Sequence, residues 1–141
     1  MATRKAEATW EGSLQKGEGN FQGESGVIQG TYSFGTRFGD TPGTNPEELL
    51  AAAHAACFSM ALSGQIAALG GEPQSVQTEA ACTVEKVGDG FKITTMKLRT
   101  RARVSGMDEA RFQEAANNAK NGCPVSQALA GVEISLDAAL E

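Results

Sequence analysis

The chain has 141 residues, 40% of them apolar, and its 12 basic and 17 acidic side chains give a net charge of -5. That length suits a single domain over residues 1–141 with its own core, and the negative balance argues against nucleic acid as a partner. Three cysteines cannot close a full set of intramolecular disulfides, residues 1–5 show no secretory pattern and no window approaches a membrane span, so a cytoplasmic protein without a membrane partner is expected.

Residues 6–11 alternate, with Ala6, Ala8 and Trp10 on one side, which predicts a strand with Trp10 turned inward. Glycines at 12, 17, 19, 23, 26 and 30 divide the next stretch into short strands, expected near residues 20–24 and 31–34. These form a small Gly-rich antiparallel unit. Residues 39–43 read as loop. Thr44-Asn45-Pro46-Glu47-Glu48 is the clearest helix start: Asn45 can cap, Pro46 suits the first helical position, and Glu48 stands where a capping box wants a carboxylate. Thr44 capping with Glu47 is the alternative register.

The helix is expected to run to Leu69, where Gly70-Gly71 stops it, over about 24 residues or roughly 36 Å. It is rich in alanine, with Leu49, Leu50, Phe58, Met60, Leu62 and Ile66 spread around its circumference, the pattern of a central helix. Small side chains also allow close approach of a second copy, so a homodimer is expected.

Val76, Thr78, Ala80, Cys82 and Val84 share one face of a strand, and Gly88-Asp89-Gly90 turns it into a second strand over residues 91–104. The apolar phase of that second strand shifts between Ile93 and Met96, which predicts a bulge. Lys97, Arg99, Arg101 and Arg103 then line one solvated face. A helix beginning at Ser105 or Asp108 buries Phe112, Ala115, Ala116 and Ala119. A short helix begins near Pro124, and Val132, Ile134 and Leu136 face one way in a last strand. The order is βββ-α-ββ-α-β, an α+β fold of antiparallel sheets packed with a long central helix.

Two of the cysteines have settings that suggest chemistry. Cys57 lies mid-helix, three residues after His54. Cys123 stands between Gly122 and Pro124 at the start of the short helix, where backbone amides favour thiolate. Cys82 sits in a clean strand pattern and reads as structural. Either of the first two could instead be a small buried apolar group. A Cys-His hydrolase built on His54 and Cys57 lacks an orienting third group, and a metal site from Cys57, His54 and Cys123 lacks a fourth ligand. His54 reads as packing or making one hydrogen bond. Arg37, flanked by Phe34 and Phe38, is either a surface cation covering a ring or a guanidinium that activates a thiol. Glu47 suits a capping role. It lies about 15 Å along a straight helix from Cys57, so a partner helix would have to bring it to a Cys57 site.

The segment Thr44-Asn45-Pro46-Glu47-Glu48-Leu49-Leu50-Ala51-Ala52-Ala53-His54-Ala55-Ala56-Cys57-Phe58 resembles the osmotically inducible protein C / organic hydroperoxide resistance family. Asn121-Gly122-Cys123-Pro124-Val125-Ser126, Phe34-Gly35-Thr36-Arg37-Phe38 and Trp10-Glu11-Gly12 extend the likeness over nearly the whole chain, which looks more like the osmotically inducible branch. The resemblance implies an intertwined homodimer and a thiol-dependent peroxidase that reduces organic hydroperoxides, and hydrogen peroxide more weakly, in oxidative or osmotic stress defence. It implies that Cys57 is the peroxidatic cysteine, Cys123 the resolving one, Arg37 the activating arginine and Glu47 the carboxylate that holds it. It implies a dithiol or lipoylated protein as reductant, with neither cofactor nor metal. The competing reading is a redox sensor or partner-binding module that uses the same thiols as a switch.

Overall fold

The computed structural model describes residues 1–141, which divide into two compact units, Met1–Leu49 and Leu50–Glu141. In the first unit, β1 (Ala6–Glu11), β2 (Glu18–Gly23) and β3 (Gln29–Tyr32) form an antiparallel sheet in the order β1-β2-β3. Trp10 and Tyr32 close over β2 with ring centroids 5.4 Å apart, and Phe21 continues the row at 6.1 Å from Tyr32. Gly19 makes this possible, because a Cβ there would lie 2.7 Å from the Trp10 ring and 2.6 Å from Tyr32.

The third strand does not reach Phe34, as expected from sequence. It stops at Tyr32, and the chain turns into a short helix α1 (Phe34–Phe38). Ser33 caps it: the Ser33 hydroxyl accepts from the Thr36 amide at 3.2 Å, while the Thr36 hydroxyl oxygen accepts from the Ser33 amide at 2.9 Å.

Helix α2 (Pro46–Ala68) starts in the expected register. Asn45 Oδ1 accepts from the Glu48 amide at 2.8 Å, and Asn45 Nδ2 donates to the Thr36 carbonyl at 2.9 Å. The Glu48 carboxylate does not complete a capping box but accepts from the Thr44 hydroxyl at 2.8 Å.

In the second unit, β4 (Glu72–Val87), β5 (Gly90–Ser105) and β6 (Glu133–Leu140) form a sheet in that order, with α3 (Glu109–Gly122) and α4 (Pro124–Ala128) between β5 and β6. β4 and β5 are antiparallel, and Thr94 is the extra residue where Thr83 pairs with Thr95 and Val84 with Ile93. That bulge falls in the stretch where the apolar phase shifts. β6, however, runs parallel to β5, so the sheet is mixed and not antiparallel throughout. The reason is the connection: a helical crossover carries the chain back before β6 begins, which is how parallel neighbours are joined. Asp108 starts α3, its Oδ1 accepting from the Arg111 amide at 2.8 Å.

Met96, Leu98, Thr100 and Ala102 point into a core completed by Phe112, Ala115, Ala116 and Ala119 of α3 and by Phe58, Leu62 and Ile66 of α2. On the other face of β5, Arg101 holds Asp137 of β6 through both carboxylate oxygens at 3.2 Å. α2 is less enclosed than its composition suggested. His54, Phe58, Leu62 and Ile66, at four-residue spacing, form one buried stripe, while Ala52, Ala56, Met60 and Gly64 are exposed on the opposite side. By length and composition alone α2 could cross a membrane, its most apolar 18 residues having a mean hydropathy of 1.4, a test that the core helix of a folded domain also passes. Its buried stripe belongs to the core of the second unit.

Candidate functional site

Cys57 is brought to its place by the α2 stripe. It follows His54 by three residues and precedes Phe58, so it stands at the edge of the buried face, half-buried itself. Cys123 is positioned by the junction of two helices. Its amide donates to Ala119 O at 2.9 Å, ending α3, and its carbonyl accepts from the Gln127 amide at 3.0 Å, opening α4. Pro124 at the first position of α4 forces this change of direction, having no N–H to continue the preceding helix. Cys123 is fully buried.

The two sulfurs, from residues 66 positions apart, lie 2.7 Å from each other. All three cysteines are reduced. A disulfide of about 2.05 Å therefore needs a closing movement of under an ångström. Cys82 lies elsewhere, on β4 opposite Met96.

The sulfur pair shares its protons unequally. Burial pushes the Cys57 thiol up, and the adjoining Cys123 sulfur adds to this by hydrogen bond and charge, against an amide hydrogen bond from Val125. At Cys123 burial also opposes the anion. It is outweighed there by hydrogen bonds from Cys57, from the Ser126 amide and hydroxyl, and from the Val125 amide, so this thiol is lowered. Of the two sulfurs, Cys123 is the one whose surroundings favour the anion.

His54 is fully buried and makes one hydrogen bond, between Nε2 and Ser126 Oγ at 2.7 Å. Burial lowers its pKa, so it is neutral at physiological pH. Ser126 is the residue to which sequence reasoning gave no role. The signal was the Cys-Pro-x-Ser spacing, which puts a hydroxyl in the first turn of α4 beside the sulfur.

The second predicted pair also meets, within the first unit. Arg37, on α1, donates from Nη2 to Glu47 Oε1 at 2.8 Å and from Nε to both carboxylate oxygens at 3.1 and 3.2 Å. Glu47 is buried while the Arg37 side chain is 35% exposed, so the guanidinium is held from behind and left open in front. It also lies over the Phe38 ring, 5.0 Å from its centroid. Capping falls to Asn45, which frees Glu47 for the arginine. Beside Arg37 is a cavity of about 200 Å³ lined by Trp10, Leu14, Tyr32, Phe34 and Phe38. On α2, Phe58 is buried in the core and Met60 projects from the exposed side.

The family model for OsmC-like protein matches residues 38–137. Peroxiredoxin OsmC of Escherichia coli (strain K12) is 48% identical over 135 residues, 95% of this chain and 94% of that protein. The organic hydroperoxide resistance protein of Xanthomonas axonopodis pv. citri is 35% identical over 99 residues, covering 67% of this chain and 66% of its own. Among solved structures, the organic hydroperoxide resistance protein OhrB of Bacillus subtilis aligns with a TM-score of 0.72 at 27% identity, over 96% of this chain and 98% of its own. An organic hydroperoxide resistance protein from Elizabethkingia anophelis shares the fold at a TM-score of 0.74 and 23% identity, over 99% of both chains. Sequence and fold agree from end to end: the chain belongs to the OsmC/Ohr family and stands nearer its osmotically inducible branch.

Proposed function

We propose that the chain is a dithiol-dependent peroxidase that reduces organic hydroperoxides to alcohols, with Cys57 peroxidatic, Cys123 resolving, Arg37 activating and Glu47 holding Arg37. The observation that carries this reading is the 2.7 Å contact between the two sulfurs. Thiol-based peroxide reduction through that pair is the enzyme activity of this chain; the individual roles, the substrate preference and the assembly are the finer reading.

Cys57 as the attacking sulfur must give up the proton that its surroundings keep on it. A guanidinium beside it would favour the anion there, and by likeness to the family we assign that role to Arg37. The Cys57 thiolate attacks the terminal peroxide oxygen, the O–O bond breaks, and the alkoxide leaves with a proton as the alcohol. Arg37 also faces the negative charge that develops on the leaving oxygen. Cys123 then attacks the Cys57 sulfenic acid, an S–S bond replaces the S–O bond, and water leaves. A small dithiol or a lipoylated protein reduces the disulfide and is itself oxidised to a disulfide. The aromatic cavity beside Arg37 supports an organic group on the peroxide, with hydrogen peroxide the poorer substrate.

The functional form is a homodimer of single-domain chains, intertwined so that the exposed side of α2 is covered by its counterpart. It acts in the cytoplasm in defence against oxidative or osmotic stress. Steady-state turnover of cumene hydroperoxide with a dithiol tests the reading. Cys57→Ser should remove it, and retained turnover in that variant would exclude Cys57 as the attacking group.

A further inference from the structure

His54 is among the largest fully buried side chains in the protein, yet the peroxidase cycle gives it no task. Its ring makes one hydrogen bond, to Ser126 Oγ at 2.7 Å, and its Nδ1 has no partner. A neutral imidazole carries a single N–H. On Nδ1 that proton would be a buried donor without an acceptor. On Nε2 it is satisfied by the serine oxygen, so the ring donates from Nε2 and Nδ1 is bare. Ser126 is itself only 6% exposed, and its hydroxyl oxygen is occupied by the incoming N–H. Its hydrogen is left for another acceptor, and the buried Cys123 sulfur stands one turn earlier, at the start of the same helix, where the hydroxyl and amide of Ser126 both favour its anion.

We infer that His54 and Ser126 are positioning residues for the resolving step: the imidazole fixes the serine hydroxyl so that its hydrogen is aimed at the Cys123 sulfur and favours the anion there. The inference rests on Cys123 being the resolving cysteine. Anionic sulfur at Cys123 is needed twice in a cycle. In the first case it attacks the Cys57 sulfenic acid, forming the S–S bond as the S–O bond breaks and hydroxide departs to become water with a proton from solvent. In the second, a dithiol attacks the Cys57 side of the disulfide and Cys123 leaves as thiolate. A stabilised leaving thiolate departs faster. Cys57 itself has no contact with the His54–Ser126 pair among its hydrogen bonds, so peroxide attack is not the step the pair serves.

The test is stopped-flow oxidation of the full-length chain by one equivalent of cumene hydroperoxide, followed by quenched mass spectrometry. It compares the native protein with Ser126→Ala, His54→Leu and His54→Gln, each verified as folded by near-ultraviolet circular dichroism. Sulfenic acid on Cys57 should form at a rate within about twofold of native in all, while disulfide formation slows about tenfold in Ser126→Ala and His54→Leu. The delayed sulfenic acid should be captured by dimedone. Glutamine carries an N–H of similar reach, so His54→Gln should recover most of the lost rate. Native disulfide rates in both Ser126→Ala and His54→Leu would overturn the inference, as would a slow His54→Gln that behaves like His54→Leu. Absence of any Cys57–Cys123 disulfide in the native protein would instead remove the resolving role of Cys123, and this inference with it.

Discussion

In the unit that contains them, the surroundings push the Cys57 thiol up and the Cys123 thiol down, the reverse of what peroxide attack at Cys57 needs. On the proposed reading the activating charge is Arg37, and the hold of Glu47 on that guanidinium is seen in the geometry. Replacing Arg37 by Ala should lower kcat/KM for cumene hydroperoxide by about a hundredfold or more, the cost of losing one charge-stabilising donor. Glu47→Gln keeps the size of the side chain but removes the charge that anchors the guanidinium, and should cost less, about tenfold. Cys123→Ser should still consume one equivalent of peroxide and leave a Cys57 sulfenic acid that dimedone traps; no adduct would count against the order of steps. Cys82→Ala should keep turnover within about twofold of native, because that side chain belongs to the β4 packing.

His54 adds a pH dependence. Its folded pKa lies below the free value of 6.5, so the unfolded chain binds a proton that the buried ring refuses. Stability should therefore be full above about pH 6.5 and decline as pH falls from there toward the lowered folded value. Urea midpoints measured across that window should slope in the native protein and flatten in His54→Gln.

At the level of elements, sequence discloses what local chemistry decides. Asn45-Pro46 and Asp108 announce α2 and α3 because capping involves residues only a few positions apart, and the β4–β5 hairpin announces itself by alternation. α1 escapes a reading by periodicity because five residues give no helical period to find, and Gly35 interrupts them; only the Ser33–Thr36 pair marks it. The parallel setting of β6 is equally hidden, because strand direction depends on the crossover and not on any residue within the strand. The α2 cap is directly testable. Asn45→Ala removes both the Glu48 amide acceptor and the link to the Thr36 carbonyl. It should cost about 1 kcal/mol, a drop of about 2–4 °C in Tm by calorimetry.

The exposed side of α2 makes a second claim at this scale. Met60 is 82% exposed among small neighbours, an arrangement suited to a close-packed helix partner. If the proposed homodimer forms through this side, Met60→Glu should lower the sedimentation mass toward that of a monomer, and a mass the same as native would exclude this face as the interface.

For the molecule as a whole, the pairing of Cys57 with Cys123 is not available from spacing, since separation in sequence says nothing about closure of a long loop. It comes from likeness to a family, and the fold supplies the means: a buried stripe on α2 and a proline-enforced bend between α3 and α4. The Arg37–Glu47 pair is likewise ambiguous in sequence, because an acidic residue in a first helical turn has a sufficient explanation as a helix-end charge. Burial of that carboxylate against a guanidinium distinguishes the two uses.

The closeness of the reduced sulfurs has a bearing on signalling. A thiol switch reports its state by forcing distant groups together, so that a helix unwinds or a surface is remade when the bond forms. Here the atoms are already neighbours in the reduced chain, and joining them asks for a shift smaller than a bond length. Within the second unit, the stretches of α2, α3 and α4 around the pair should thus differ little between the oxidised and reduced forms, which amide hydrogen exchange in those helices would check. A sulfur pair whose own surroundings do not record its redox history is suited to repeating the same reaction.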